Sequence, residues 1–253
     1  MEFKIGDFVT RKSYNHDIIF KIYDIKESIY YLVGTNVRLV ADSKIEDLEK
    51  YNGERDTEEK EFVDRITNTD KLDRNDYFYL PGKILHIDSD KDYLERCLKF
   101  YEQMNIWAVG ICESEEEISN KIFDFLSQYN PNIVVITGHD AYYKNKKYRN
   151  SDNFIKAVKQ ARKYCDSHEK LIIIAGACQS NYEELIKAGA NFASSPKRVN
   201  IHALDPAIVA TKISLSEINK DIDLKKILEA TKYGKDGMGG IITRGTMYVG
   251  YPR

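Results

Sequence analysis

Two apolar runs of the chain each end beside a side chain that can do nucleophilic chemistry. The run NIVVIT leads into residues 138–140, with His139 at their centre, and the run LIIIA leads into residues 176–178, which end in Cys178. Short apolar runs bounded by turn residues predict strands buried on both faces of a parallel sheet. Because ligands bind beyond the carboxyl ends of such strands, we expect the imidazole and the thiol to share one crevice. A cysteine beside a histidine is the pair that nucleophilic acyl chemistry requires.

We interpret Cys178 as the nucleophile because it follows a strand and a tight turn of small residues and precedes the helix-forming sequence QSNYEE. The dipole at the start of that helix favours a thiolate. The alternative is a buried structural cysteine, the commonest situation of a free cysteine. His139 is then the general base, or the cation that keeps the thiol deprotonated. Its alternative is a histidine that is hydrogen-bonded at a strand edge.

Three acidic residues also follow predicted strands. Asp88 ends the strand KILHID and Asp90 follows it, and the two predict either an acidic pocket for a basic side chain or a cap for the next helix. Asp140 is predicted to orient His139, to bind substrate or to cap the backbone. The remaining histidines are weaker candidates, although the last of them lies in a loop that could face the same crevice: His16, His86, His168 and His202.

The composition narrows the classes of partner. The 38 basic and 40 acidic residues nearly cancel, so we expect neither nucleic acid nor a membrane as a partner. No stretch reaches the length of a membrane span and the N-terminus lacks an apolar signal region, so we expect the protein to stay in the compartment that made it. The spacing of the four cysteines fits no metal site, which predicts free thiols in a reducing compartment and no metal or cofactor.

The order of elements predicts an α/β fold that follows a small β-barrel. Residues 1–50 contain short segments with period-two alternation, typical of an SH3-like or Tudor-like barrel that binds peptides or packs beside an enzyme. Residues 51–78 are highly charged and are predicted to be a linker, with a helical turn at FVDRI. Residues 79–253 alternate strand and helix patterns, which predicts a mostly parallel sheet covered on both faces.

Individual elements of the third region can be predicted from the same patterns. We expect strands at KILHID, IWAVGIC, NIVVIT, LIIIA, NFASS and IVATKIS, and a β-hairpin in the tail GMGGIITRGTMYVGYP. Capping residues predict helix starts at Ser114, at 151–152 and at 180–181.

The succession of apolar strand, histidine, second apolar strand and cysteine resembles the caspase-like peptidases of clan CD, which include caspases, legumain, clostripain and gingipain. This resemblance implies a caspase-like three-layer sandwich, with backbone N–H groups of Asp140 and Cys178 as donors to the oxyanion. Those enzymes usually have glycine after the histidine, whereas here Gly138 precedes it.

The whole chain is similar to the family of the sporulation-specific protease YabG. The similarity lies in KIGDFVTRKSY, VRLVADS, PGKILHIDSD, VVITGHDAY, IIIAGACQSNYEELIKAGANFASSPKRVNIHALDP and GGIITRG. It implies a cysteine endopeptidase of the mother-cell cytoplasm, associated with the spore coat, that trims spore coat and cortex-associated proteins after arginine.

Cleavage after arginine requires a carboxylate that pairs with the guanidinium. Clostripain-type enzymes carry an aspartate two residues before the cysteine, but this chain has Gly176 there. We therefore predict that Asp88 or Asp90 supplies the acid. The same specificity predicts self-cleavage in the linker, at Arg55, Arg65 or Arg74.

Two functions from other classes compete with the peptidase. A receiver-like phospho-signalling domain would use the acids of HIDSD, Asp140 and Lys197, but Gly138 and His139 intervene between the strand and its phosphoacceptor. A non-catalytic scaffold for coat assembly would use the barrel to recruit partners.

Overall fold

The computed structural model of the protein describes residues 3–53, 57–69, 77–143 and 147–251. Over these residues the chain forms the following strands: β1 (Phe8–Arg11), β2 (Phe20–Lys26), β3 (Ile29–Gly34), β4 (Val40–Lys44), β5 (Leu48–Lys50), β6 (Phe78–Leu80), β7 (Ile84–Asp88), β8 (Ala108–Cys112), β9 (Ile133–Thr137), β10 (Ile172–Ala175), β11 (Phe192–Ser194), β12 (Met238–Gly240) and β13 (Tyr248–Gly250). The α-helices are α1 (Thr57–Thr69), α2 (Lys91–Gln103), α3 (Glu115–Tyr129), α4 (Ser151–Tyr164), α5 (Tyr182–Lys187), α6 (Asp205–Ser214), α7 (Leu224–Glu229) and α8 (Gly234–Gly237). Short 3-10 helices cover Lys12–Tyr14 and Ile45–Asp47.

The larger sheet has six strands in the order β12-β11-β10-β9-β7-β8. Strands β7 to β11 are parallel to their neighbours, and β12 is antiparallel to β11. The α/β class and the mostly parallel sheet are therefore confirmed. The likeness to caspases stays a prediction.

Helices cover both faces of this sheet because its central strands are apolar on both sides. Alternate residues of β7, β9 and β10 pack into different cores, one with α3 and α4 and the other with α2 and α6. Leu85 and Ile136, for example, belong to the first core, and Ile84 and Val135 to the second. Each such fully buried side chain stabilises the fold by roughly 1.5–3 kcal/mol.

The N-terminal sheet has five antiparallel strands in the order β4-β3-β2-β1-β5. Its inward residues, among them Phe20 and Leu32, belong to the same core as α6 and one face of the larger sheet. The two sheets therefore share a hydrophobic core. That the N-terminal strands close into a barrel stays a prediction.

Helix α1 lies inside the stretch predicted to be a linker. Its residues Phe62 and Ile66 are buried in the shared core, and the Phe62 ring lies 5.2 Å from the ring of His202. The division into regions 1–50, 51–78 and 79–253 stays a prediction. Among the described helices, none is both long enough and apolar enough to cross a bilayer.

Two predicted elements were wrong. The segment IVATKIS is not a strand but part of α6, in which every residue except Lys212 is buried. Pro206 favours a helix start there because its φ is preset for the first turn. The tail does not form a hairpin, since β12 pairs with β11 and β13 pairs with β6.

Candidate active site

The carboxyl ends of three parallel strands meet at one edge of the larger sheet. Asp88, the last residue of β7, is in register with Thr137 of β9, and Ile136 is in register with Ala175 of β10. The segments that follow these strands, including His139 and Cys178, therefore leave the sheet at the same edge. The structure brings the predicted site residues to one side of the fold.

Cys178 follows a sharp turn, and its side chain is fully buried. Gly176 has φ +107°, a conformation that a residue with a Cβ rarely adopts, so a glycine is required here. The Cys178 Sγ accepts from the Ile201 N–H at 3.2 Å and lies 3.6 Å from the Ile201 carbonyl oxygen. Burial raises the pKa of the Cys178 thiol to about 12, so in this conformation the thiol is protonated.

A buried hydrogen-bond chain holds the turn around Cys178. The Ser180 Oγ accepts from the Ala177 N–H at 2.9 Å and donates to Asp140 Oδ2 at 2.9 Å. Asp140 also accepts from the Ser151 Oγ at 2.5 Å and from the Asn150 N–H at 2.8 Å. The Asp140 side chain thus connects the segment after His139 to the segment after Cys178.

His139 is largely buried, and its backbone N–H donates to Glu115 Oε1 at 2.9 Å. Its Nε2 has no hydrogen-bond partner among the described residues, and the nearest carboxylate oxygen, Asp90 Oδ2, lies 3.5 Å away. Burial lowers the pKa of His139 while Asp90 acts to raise it, with a net decrease. A neutral imidazole with an available nitrogen suits a general base.

Gly138 gives the close approach that positions His139. A Cβ at this position would lie 2.5 Å from the Ser89 Oγ and 2.7 Å from Glu115 Oε1. A larger residue at position 138 would therefore collide with Ser89 and Glu115, which lie beside His139.

The two candidate acids, Asp88 and Asp90, have different surroundings. Asp90 Oδ1 caps α2 by accepting from the N–H groups of Asp92 and Tyr93, at 2.9 and 3.1 Å, while Oδ2 faces His139. The capping interpretation of Asp90 is confirmed.

Asp88 is fully buried and pairs with an arginine that the sequence analysis did not consider, Arg38. Its Oδ2 also accepts from the Thr137 Oγ1 at 2.7 Å, and its Oδ1 accepts from the Asp90 N–H at 2.9 Å. Burial alone would raise the pKa of Asp88, but the charge of Arg38 and the hydrogen bonds hold it well below its usual range. Asp88 is therefore an ionised, oriented carboxylate.

Arg38 has the largest fully buried side chain of the described residues. Its Nη1 donates to Asp88, and its Nε and Nη2 donate to the Ala203 carbonyl oxygen at 3.0 and 2.8 Å. The guanidinium lies over the ring of Tyr93, with its central carbon 5.1 Å from the ring centroid. The groups around the Arg38 side chain form a pocket that matches an arginine by charge, by hydrogen bonds and by an aromatic face.

The backbone of Arg38 reaches the candidate nucleophile. Its carbonyl oxygen accepts from the N–H of Cys178 at 3.3 Å. One arginine thus contacts Cys178 through its carbonyl group and Asp88 through its side chain.

Arg38 belongs to residues 35–39, which join β3 to β4 and which we call the crossing segment. It forms β-bridges at two points, Val37 with His202 and Leu39 with Asp140. The segment therefore lies between the loop that precedes α6 and the residues next to His139.

Further backbone hydrogen bonds hold the crossing segment against the loop that precedes α6. The Arg38 N–H donates to the Ile201 carbonyl oxygen at 3.3 Å, and the Ala203 N–H donates to that of Asn36 at 3.0 Å. Paired backbone bonds of this kind are how an extended peptide adds to a protein.

Tyr93 of α2 joins the histidine to the crossing segment. Its hydroxyl lies within hydrogen-bond distance of the carbonyl oxygens of Gly34 and Val37, the latter at 2.9 Å, and shares its one proton between them. Its ring centroid lies 5.3 Å from that of His139 and 5.1 Å from the central guanidinium carbon of Arg38. Tyr93 had no role in the sequence prediction.

A cavity of about 280 Å³ opens beside His139, between the N-terminal sheet and the larger one. It is lined by Tyr23, Val33, Val40, Ser89, Asp90, Glu115, His139, Arg149 and Asn150. Val33 and Val40, which lie on either side of the crossing segment in sequence, both line this cavity.

The other histidines have structural surroundings. His86 is fully buried between Tyr101 and Thr137, with hydrogen bonds of 2.9 Å to each hydroxyl. His202 lies near the site, but its Nδ1 accepts from the Leu204 N–H at 3.2 Å. Burial and the nearby cations lower its pKa to about 3, so it is neutral.

The remaining two lie elsewhere in the fold. His16 is hydrogen-bonded to Thr10 in the N-terminal sheet at 2.7 Å, and His168 lies beside Arg162 at 3.3 Å. In the part of the chain that the structure describes, no three His, Cys, Asp or Glu side chains form a set that could hold a metal ion.

Comparison with known proteins identifies the family of the chain. The family model of the YabG peptidase U57 matches residues 4–252 of the chain. The sporulation-specific protease YabG of Bacillus subtilis (strain 168) is 41% identical over 286 aligned positions, which cover 100% of this chain and 99% of that protein. The chain therefore belongs to the YabG peptidase U57 family.

Proposed function

We propose that this member of the peptidase family is a cysteine endopeptidase that cleaves after arginine, with Cys178 as the nucleophile and His139 as the general acid and base. One observation carries the proposal: the carbonyl of Arg38 accepts from the Cys178 N–H while its side chain pairs with Asp88. A substrate arginine that made the same two contacts with an extended backbone would present its carbonyl carbon to the sulfur.

The chemical steps follow from these positions. The Cys178 thiol gives its proton to His139, and the thiolate attacks the carbonyl carbon after the substrate arginine. The N–H of Cys178 and that of Asp140 stabilise the oxyanion. His139 then gives the proton to the leaving amine as the C–N bond breaks. Water hydrolyses the thioester, which releases the arginine carboxylate and restores the thiol.

Asp88 is the proposed acid of the arginine pocket, and Asp90 is assigned a different role. The carboxylate of Asp88 is ionised, buried and already paired with a guanidinium. Asp90 lies 3.5 Å from the His139 Nε2, so it orients the imidazole and stabilises its cation. The cavity beside His139 would receive the residue after the cleaved bond.

The biological setting is proposed from the relative. The Bacillus subtilis protein is named a sporulation-specific protease, and we extend that setting to this chain. Its substrates would be spore coat and cortex-associated proteins, and its location the mother-cell cytoplasm or the coat. Membership of a peptidase family favours this function over the receiver-like domain and the scaffold.

Of the three arginines at which self-cleavage in the linker is predicted, only Arg65 lies in the described part of the structure. Arg65 lies within α1, where a peptide bond must unwind before a protease can bind it in extended form. Arg55 and Arg74 lie outside the described residues. Intact-mass measurement of the ageing protein beside its Cys178→Ala variant would detect cuts at any of the three.

Cleavage of casein, with the cut sites mapped by mass spectrometry, tests the proposed function. We expect cuts after arginine by the wild-type protein and none by Cys178→Ala or His139→Ala. Circular dichroism should show that the variants keep the fold. Undiminished cleavage by Cys178→Ala would disprove the assignment of the nucleophile, and cuts without arginine preference would disprove that of the pocket.

A further inference from the structure

We propose that the crossing segment occupies the substrate cleft of its own chain, with Arg38 in the arginine pocket, and that an external substrate must displace it. This inference rests on the proposed function, because it requires Cys178 and Asp88 to be parts of the active site. It adds that the protease rests in a self-blocked state.

The first argument is the double engagement of Arg38. A residue that only tied the N-terminal sheet to the rest of the protein would need its side-chain pair with Asp88 and nothing more. Here the carbonyl group of the same residue also reaches the N–H of Cys178, at 3.3 Å. Contact with both the nucleophile and the pocket is what a bound substrate arginine makes.

The second argument is the backbone on either side of Arg38. The bridges from Val37 to His202 and from Leu39 to Asp140 put the chain before Arg38 against one wall of the cleft and the chain after it against the other. A peptide substrate would pass the nucleophile between the same two walls. While the crossing segment is there, no second polypeptide can take those backbone partners.

The third argument is that neither the Cys178 sulfur nor the backbone at Arg38 is arranged for reaction. The Cys178 sulfur contacts the backbone of Ile201 and is fully buried. The Leu39 N–H donates to the Val37 carbonyl oxygen at 2.9 Å, so the chain makes a tight turn at Arg38 instead of the extended path of a substrate. The segment therefore fills the cleft without presenting its bond for attack.

Replacement of Arg38 by glutamine tests the proposal. The closed state would then keep the Asp88 carboxylate buried without its cation, whereas the open state would hydrate it, so the cleft should open. The apparent affinity for substrate rises with the fraction of open molecules. We expect alkylation of Cys178 by iodoacetamide, and kcat/KM for an arginine peptide, each to rise at least about tenfold.

Arg65→Gln is the matched control, because Arg65 is exposed on α1 and lies against the ring of Phe62. This variant should behave as wild type in both measurements. Peptide mapping separates alkylation of Cys178 from that of Cys112, which is exposed. Equal rates in wild type and Arg38→Gln would overturn the inference while leaving the proposed function intact. Absence of arginine cleavage in both proteins would instead refute the proposed function, and the inference with it.

A second measurement keeps Arg38 and so does not depend on how its variant folds. The Cys178→Ala protein is saturated with the same arginine peptide, and hydrogen exchange is followed by mass spectrometry. The Arg38 N–H, bonded to Ile201, and its neighbours in the crossing segment should exchange at least about tenfold faster when the peptide is bound. Unchanged exchange in the peptide complex would show that substrate binds elsewhere and would overturn the inference.

Discussion

The pair formed by Arg38 and Asp88 predicts a strong thermodynamic coupling across the two sheets. Asp88→Asn removes the charge but keeps an amide of nearly the same shape, which leaves a fully buried guanidinium without its anion. Arg38→Gln leaves the buried carboxylate without its cation. The double variant has two neutral amides at these positions, so neither charge is left alone.

The size of the effect follows from the burial of both groups. Breaking a buried ion pair by removing one partner destabilises a protein by about 3–5 kcal/mol, whereas replacing both partners costs much less. We therefore expect Asp88→Asn to lose about 3–5 kcal/mol in free energy of unfolding, and Arg38→Gln to lose at most that amount, because opening of the cleft would hydrate the carboxylate. The double variant should recover at least about 2 kcal/mol of the summed loss.

Urea unfolding of the four proteins at pH 7 measures this coupling. Loss of stability in the double variant that equals the sum of the single losses, within about 0.5 kcal/mol, would refute the reasoning. It would mean that Arg38 and Asp88 do not depend on each other for their stabilising effect.

The pH dependence of unfolding gives an independent check on the same pair. Because the pKa of Asp88 is lowered in the folded protein, its carboxylate stays ionised there while that of the unfolded chain takes up a proton near pH 4. The stabilisation is thus fully present above about pH 5 and is lost progressively as the pH falls through about 4 toward the lowered pKa of the folded state. Asp88→Asn should flatten the fall in stability between about pH 5 and pH 3, and an unaltered slope would contradict the assignment.

Two further substitutions test other parts of the site. Asp90→Asn keeps an oxygen to cap α2 but removes the anion that acts to raise the pKa of His139. That pKa should therefore fall, and the acid limb of the pH profile of kcat/KM should move to lower pH. An unmoved acid limb would exclude a contact between Asp90 and His139 in solution. Ser180→Ala removes the hydroxyl between the Ala177 N–H and Asp140, so the free energy of unfolding measured in urea should fall by about 1–3 kcal/mol. The same variant should have a lower kcat. Wild-type values of both quantities would show that this chain of hydrogen bonds is dispensable.

The position of the candidate site could be predicted from the sequence because it depends on local signals. Apolar runs predict buried parallel strands, and the ends of such strands lie at one edge of the sheet, whatever the details of packing. The residues that follow NIVVIT and LIIIA were therefore placed correctly at a common edge. The helix start after Ser114 was equally predictable, since Ser114 precedes α3 directly.

What could not be predicted depends on contacts between distant parts of the chain. Arg38 is 50 residues from Asp88 and 165 from Ala203 in sequence, and no local pattern links them. The available signal was a single basic residue within the apolar run VRLV, which is unusual for a position that must be buried.

The strand prediction for the segment that forms α6 failed for a related reason. A helix buried all round has no polar face, so its sequence lacks the helical periodicity that would identify it.

The crossing segment also provides a starting point for inhibitor chemistry. Its residues Thr-Asn-Val-Arg already carry the backbone and guanidinium contacts that a compound directed at this cleft would have to reproduce. A short peptidyl arginine aldehyde of that sequence would put an electrophilic carbon where the Arg38 carbonyl lies, next to the Cys178 N–H. Under the proposed function, the sequence of the crossing segment would be a starting point for an inhibitor of this protein.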